Sequence, residues 1–89
     1  MIYITARHMV GGQLHQHIAE VRWRNPADNA TGQNTRETMV DWIKNKGGQA
    51  YVSDGNIQVA VRVVESTPPY IRTYADGVWT DNLLALPTF

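Results

Sequence analysis

The sequence predicts an α+β fold in which one helix packs on a face of an antiparallel sheet of five or six short strands. Several segments alternate apolar and polar residues with the two-residue period of a half-buried strand. One central segment instead has the apolar spacing of an amphipathic helix, and Gly-Gly, Asp-Gly and Pro-Pro pairs separate the segments. The predicted order of elements is ββα-ββ-ββ, and residues 1–89 are expected to form a single domain.

The first two strands are predicted to form an antiparallel hairpin. Residues 2–10 alternate and contain Ile, Tyr and Thr, which favour strands. Residues 17–23 alternate as well, with an acid and arginines on the face opposite Val21 and Trp23. The loop at residues 11–15 begins with two glycines, which end the first strand.

The helix is predicted to span residues 35–46, after a polar loop at residues 25–33. Asn34 is predicted to cap it, because Glu37 stands at the third helical position. A helix of about three turns is marginal alone, so its narrow apolar stripe must pack on the sheet. That stripe consists of Met39, Val40 and Ile43.

A second hairpin is predicted from residues 49–53 and 57–64, joined by a turn at residues 54–56. Cross-strand pairing over a two-residue loop puts the odd-numbered residues of its second strand on the buried face. The expected buried row is Ile57, Val59, Val61 and Val63.

The last hairpin is predicted from the Asp-Gly pair at residues 76–77, which favours a type I′ turn. A two-residue loop there pairs Tyr74 with Trp79 and Arg72 with Asp81. All four side chains would then lie on one face of the sheet.

Composition limits the class of protein. Hydrophobic residues make up 43% of the chain and charged residues 18%, which is typical of a folded protein. Eight basic residues balance eight acidic ones, so binding to nucleic acid or to a membrane surface is not expected. Without cysteine, disulfides, thiolate zinc sites and thiol nucleophiles are excluded. No signal peptide or membrane span is recognised, so the expected location is cytoplasmic.

No catalytic signature accompanies this composition. A phosphate loop, a Gly-x-Ser-x-Gly elbow and a His-Glu-x-x-His pair are all missing from the sequence. We therefore expect a protein that is not an enzyme and that holds no cofactor. The histidines His8, His15 and His17 could bind zinc, nickel or copper, since two of them share the parity of one strand face. Two-histidine spacing alone is a weak motif, and the alternative is an exposed hairpin loop without metal.

The last hairpin also holds the main candidates for ligand binding. If Arg72 stacks beside Tyr74 and Trp79, with Tyr70 on the same face, a planar cation lies between aromatic walls. Such a cluster suits nucleobases, phosphates or a peptide carboxylate. The alternative is a core aromatic pair with a cross-strand salt bridge between Arg72 and Asp81.

Arginines on the other strands are further candidates for ligand binding. Arg22 and Arg24, with Arg7 and Arg62, could form a stripe across the outer sheet face. Arginine holds anions through two parallel hydrogen bonds, so a compact anion could bind without a basic net charge. The alternative is a solvated face of mixed charge.

Three segments resemble a known family. They are YITARHMVGG, TRETMVDWIKNKGGQAYV and PPYIRTYADGVWTDNLLALP, which together represent nearly the whole chain. They resemble domain-of-unknown-function family 3892, a family of small bacterial and phage proteins. The resemblance implies a complete copy of that domain, and it implies no activity and no catalytic residues.

These observations favour a small non-enzymatic binding module, expected to be a homo-oligomer, that binds a small anionic, nucleotide-like ligand. In a phage or mobile element, such a module could sequester a defence signal. The alternative is a protein–protein interaction module, an inhibitor or adaptor, which uses a sheet edge or the apolar strip at residues 83–86. A histidine metal site is a weaker alternative.

Overall fold

The structure, a computed structural model, describes the backbone of residues 1–89 and every side chain except that of Asp54. The strands are β1 Ile2–Met9, β2 Ile18–Arg24, β3 Thr31–Thr35, β4 Ala50–Asp54, β5 Ile57–Val64, β6 Tyr70–Ala75 and β7 Val78–Thr80. One helix, α1, spans Arg36–Asn45, and two short 3-10 helices span His15–His17 and Asn82–Ala85. All seven strands form one sheet in the order β3-β2-β1-β4-β5-β6-β7.

The centre of the sheet joins two antiparallel groups of strands. Strands β1 and β4 run parallel and pair at Ile2 with Ala50 and at Tyr3 with Tyr51, whereas the other neighbours are antiparallel. Beyond these two residue pairs, the C-terminal segment forms backbone hydrogen bonds with the same edge of β1. The amide of Arg7 donates to Pro87, and the amide of Phe89 donates to the carbonyl of Arg7.

The core lies between one face of the sheet and α1, which contacts β2, β3, β5 and β6. Alternation along the strands turns every second side chain into this layer. The helix contributes Met39 and Val40. The other buried members of the core are Ile2, Ile4, Ile18, Val21, Ala50, Val52, Val61, Ile71 and Leu83. The predicted α+β class with one helix on an antiparallel sheet is therefore confirmed in outline, with the parallel pair at its centre as the exception.

The predicted strand count is wrong, because β3 lies partly within the expected polar loop at residues 25–33. Its sequence, TGQNT, has no apolar alternation, so period and propensity do not reveal it. It is an edge strand that pairs along most of β2, and polar residues suit such an edge.

The predicted helix cap is also displaced by one residue. Thr35 has extended backbone angles, and its hydroxyl accepts a hydrogen bond from the amide of Thr38. Asn34 lies in β3 instead, where its Oδ1 accepts a hydrogen bond from the indole of Trp23 at 2.7 Å. Both residue types cap helices, and tertiary contacts decide between them here.

The second hairpin follows its predicted register, with Val52 opposite Val59. Val59 and Val61 are buried as expected, and Val63 packs at the margin of the core. The prediction for Ile57 is wrong, since it is 63% exposed. Ile57 follows the turn at the tip of the hairpin. The alternation continues to this residue, but the core does not extend that far, so the side chain is exposed.

The apolar strip at residues 83–86 belongs to the protein's own core. Leu83 is fully buried, and Leu84 and Leu86 pack against the same cluster. Leu83 is therefore not available to a partner, whereas an interface through the partly buried Leu84 and Leu86 stays a prediction. None of the helices in the described residues has the length and apolar character needed to cross a bilayer.

Candidate functional site

The face of the sheet opposite α1, called the open face below, carries most of the predicted binding residues. The pairing register, together with the alternation of each strand relative to its buried residues, determines which side chains lie on this face. None of them is buried. They are Tyr3, His8, Glu20, Arg22, Arg24, Tyr51, Gln58, Ala60, Arg62, Tyr70, Arg72, Tyr74 and Trp79.

One set of open-face residues forms a continuous row across six strands, called the aromatic row below. Each member is the direct cross-strand partner of the next. In order from β2 to β7, the row is Arg24, Tyr3, Tyr51, Ala60, Tyr74 and Trp79. Ala60 leaves a shallow gap between two tyrosines.

Guanidinium groups lie over rings at both ends of this row. Arg24 lies 5.6 Å from the ring centroid of Tyr3, and Arg62 lies 4.7 Å from that of Tyr74. Tyr74 and Trp79 meet edge to face at 5.0 Å, as the predicted pairing requires. Trp79 nevertheless stays 38% exposed, so this aromatic pair is not a core pair.

The predicted arginine stripe is only partly correct. Arg22 lies on the open face, with its guanidinium 4.1 Å from the ring centroid of Phe89. Arg7 pairs with Val21, which is fully buried, so Arg7 points to the core side instead. A register shift in β1 between Ile4 and Ala6 reverses the parity on which the prediction relied.

A second region, called the His15 cleft, lies where β6 meets the two 3-10 helices. Its volume is about 590 Å³. The lining residues are Leu14, His15, Gln16, Tyr70, Arg72, Asp81, Leu84 and Ala85. The cleft thus brings two predicted binding residues, Tyr70 and Arg72, beside a histidine whose sequence spacing suggested only a metal ligand.

Arg72 is held at the wall of this cleft by two polar partners. Its Nη2 donates to Asp81 Oδ1 at 2.9 Å, and its Nε donates to the carbonyl of Thr80 at 3.1 Å. The predicted salt bridge is therefore present. The guanidinium over Tyr74 is that of Arg62, so Arg72 does not form the predicted stack with Tyr74 and Trp79.

His15 is the buried polar group of the cleft, only 7% exposed. Its Nε2 has no hydrogen-bond partner in the described residues and lies 3.8 Å from Asp81 Oδ1. Burial lowers the pKa of His15 below its ordinary value, and the positive charge of Arg72 lowers it further. Arg7 acts in the same direction, whereas Asp81 opposes the shift. The downward shift of the pKa favours the neutral form of the imidazole.

The three histidines do not come together. The Nδ1 of His8 contacts the carbonyl of Phe89, the Nδ1 of His17 accepts from the amide of Leu14, and His15 is buried in the cleft. Among the described side chains, no group of three potential ligands could hold a metal ion. The expectation that His15 sits on an exposed loop is wrong, because its short 3-10 helix packs against β6.

Sequence reasoning missed Tyr3 and Tyr51 as members of the aromatic row. Their alternation was visible in the sequence, but the row exists only because β1 pairs with β4 in parallel, and a contact across 48 positions leaves no local signal.

A family model described as "Protein of unknown function (DUF3892)" matches residues 3–87. Neither the curated proteins nor the solved structures include a match to this chain. From the extent of the family match, the chain belongs to the DUF3892 family.

Proposed function

We propose that the protein is a non-enzymatic binding module that holds a small anionic, nucleotide-like ligand in the His15 cleft. One observation carries this proposal. A buried imidazole presents an Nε2 without a partner among the described residues, in a cleft whose wall carries the guanidinium of Arg72. Buried polar atoms are normally hydrogen-bonded, and an oxygen of a ligand that enters the cleft could supply the partner of this one.

The chemistry of the cleft suits an anion that also has a planar part. Arg72 can donate charge-assisted hydrogen bonds to phosphate or carboxylate oxygens. The imidazole of His15 can donate from Nε2 to a second oxygen. Tyr70 offers an aromatic surface on the same wall, where a planar ring could stack. The cleft volume of about 590 Å³ falls in the usual range for small-molecule sites.

Asp81 is the group that a ligand must displace. Its carboxylate lies 2.9 Å from Nη2 of Arg72, and its side chain is 76% exposed. Exposed ion pairs contribute about 0–1 kcal/mol, so the exchange of one carboxylate for a ligand anion costs little. The internal pair supports the proposal that Arg72 would donate to an oxygen of an anionic ligand.

Native mass spectrometry of the purified protein tests this proposal first, because it detects bound ligand mass and subunit number together. Titration calorimetry with pyrophosphate and with adenosine monophosphate then measures affinity. We expect Arg72→Gln and His15→Gln each to weaken binding about tenfold or more. The control Lys44→Gln removes a charge from α1 and should leave affinity unchanged. Absence of binding to either probe, with no bound mass, would contradict the proposal.

A second candidate, association through a sheet edge, is favoured by β7. This strand lies at the edge of the sheet, and its Val78 is 61% exposed beside Trp79. Exposed apolar edge strands are ready to pair with another chain. Sedimentation of the wild type and of Val78→Lys tests it: a multimer that the variant dissociates supports association, and a monomeric wild type excludes it. Homo-oligomer formation and the sequestering of a defence signal stay predictions.

A further inference from the structure

We infer that the open face is a platform for single-stranded nucleic acid. This inference is independent of the His15 cleft, since it rests on the aromatic row and on the arginines beside it. Proteins that bind single strands combine rings on which bases stack with positive groups that follow the phosphates. The open face has both.

The geometry of the row fits successive bases. Neighbouring members lie one strand apart, so their backbone positions follow each other at about 4.8 Å and the row extends about 24 Å from Arg24 to Trp79. Tyr3, Tyr51 and Tyr74 are each partly exposed, and the hydroxyl of Tyr3 donates a hydrogen bond to Gln58 at 2.6 Å. Ala60, the smallest side chain of the row, stands between Tyr51 and Tyr74.

Charge on this face differs from charge on the whole chain. The net charge of zero predicted that nucleic acid would not bind. Of the described residues on the open face, however, four are arginines and Glu20 is an acid, with Asp81 at the margin. Glu20 accepts a hydrogen bond from Gln33, and Asp81 is bound to Arg72. Arg22, Arg24 and Arg62 form no ion pair with an acid among the described residues, although Arg22 donates to Gln33 at 3.4 Å, and each lies over a ring.

Single strands fit this surface better than duplexes. Stacking on tyrosine and tryptophan needs unpaired bases whose faces are free. A duplex exposes phosphates and base edges instead, so it could use the arginines but not the rings. The structure therefore points to a partner with exposed planar bases and a phosphate backbone.

Fluorescence anisotropy with a labelled oligothymidylate of about twelve nucleotides tests the inference. We expect saturable binding at 50 mM salt that weakens by about 20-fold at 200 mM, because three phosphate contacts give a logarithmic salt slope of about −2. A duplex of the same length should bind more weakly. No binding at 50 mM salt, or equal affinity for the duplex, would overturn the inference.

Substitutions on the open face test whether oligonucleotide binding depends on this surface rather than on another part of the molecule. Tyr51→Ala and Tyr74→Ala should each weaken binding by roughly 5- to 150-fold. Arg62→Gln, whose exposed side chain can be changed without unfolding, should reduce the salt slope by about 0.7. The matched control Lys44→Gln removes an exposed charge from the helix layer and should change neither quantity. Variants that fail to alter binding would contradict a role for the row.

Two further readouts separate the open face from the His15 cleft and from an interface between two copies of the chain. Tyr51→Ala should retain pyrophosphate binding, and His15→Gln should retain oligothymidylate binding, so either proposal can fail without the other. Sedimentation of wild type and Arg62→Gln tests whether a second copy covers the face. A wild-type dimer that the variant dissociates would overturn the inference, whereas a monomer that binds the oligonucleotide supports it.

Discussion

Arg62 and Arg72 lie directly opposite each other on β5 and β6, so two guanidinium groups share one cross-strand position. Like charges placed opposite each other destabilise a sheet. The two side chains diverge: Arg62 lies over the ring of Tyr74, and Arg72 reaches Asp81 at 2.9 Å. This divergence separates the aromatic row from the His15 cleft, and each surface receives one arginine of the pair.

The change Asp81→Asn should strengthen anion binding in the cleft. It removes the internal carboxylate that competes for Arg72, and an exposed pair of this kind is worth about 0–1 kcal/mol. We expect pyrophosphate affinity, measured by calorimetry, to rise by about twofold to fivefold. The control Asp76→Asn alters an exposed acid in the adjacent turn, which accepts asparagine. Weaker binding by Asp81→Asn would show that the carboxylate supports the site.

Stability should fall as the pH drops below about 6.5, the ordinary pKa of histidine in the unfolded chain. Burial lowers the pKa of His15 in the folded state, so between the two values the unfolded chain binds more protons. The free energy of unfolding therefore decreases with falling pH until the folded-state pKa is passed. Urea denaturation at pH 7.5, 6.5 and 5.5 measures the change. In His15→Gln this part of the pH dependence should disappear, and its persistence would assign it to other groups.

The change Gly48→Ala should destabilise the protein by about 1–3 kcal/mol. A Cβ added at Gly48 would overlap the indole of Trp42, and the ring would have to move. Thermal unfolding measures the effect. In the background of Trp42→Leu the same substitution should cost less, because the obstructing ring is gone. An equal cost in both backgrounds would mean that the contact is not its cause.

The change Leu83→Ala should destabilise the protein by about 2–5 kcal/mol, because this side chain is fully buried in the core. Leu14→Ala, at an exposed leucine, should change stability by no more than about 0.5 kcal/mol. Urea denaturation of both variants compares them. If the two substitutions had similar small effects, the C-terminal segment would not be part of the core.

Local patterns predicted most of the fold. Residues 2–10, the helix and the Asp-Gly hairpin were recognisable because period and turn chemistry act over a few residues. The pairing of Tyr74 with Trp79 followed from the turn alone. Strand β3 was missed because an edge strand with a polar sequence carries no apolar signal.

The candidate site could be predicted only in part. Arg72, Tyr70, Tyr74 and Trp79 were selected from their chemistry, but their distribution between the row and the cleft depends on strand order and on the packing of the 3-10 helices against β6. Burial of His15 arises from packing of its 3-10 helix on β6, a contact between segments more than 50 residues apart. Such contacts are determined by tertiary structure and cannot be recognised in a short segment of the sequence.

The C-terminal segment completes the edge of the first strand, and this has a consequence during synthesis. Arg7 exchanges hydrogen bonds with Pro87 and Phe89, which leave the ribosome about 80 residues later. Until then, half of one edge of β1 lacks its partner, and an unpaired strand edge invites association with other nascent chains. Closure of this edge must therefore wait until Phe89 has emerged, because it depends on one of the most distant contacts in the sequence.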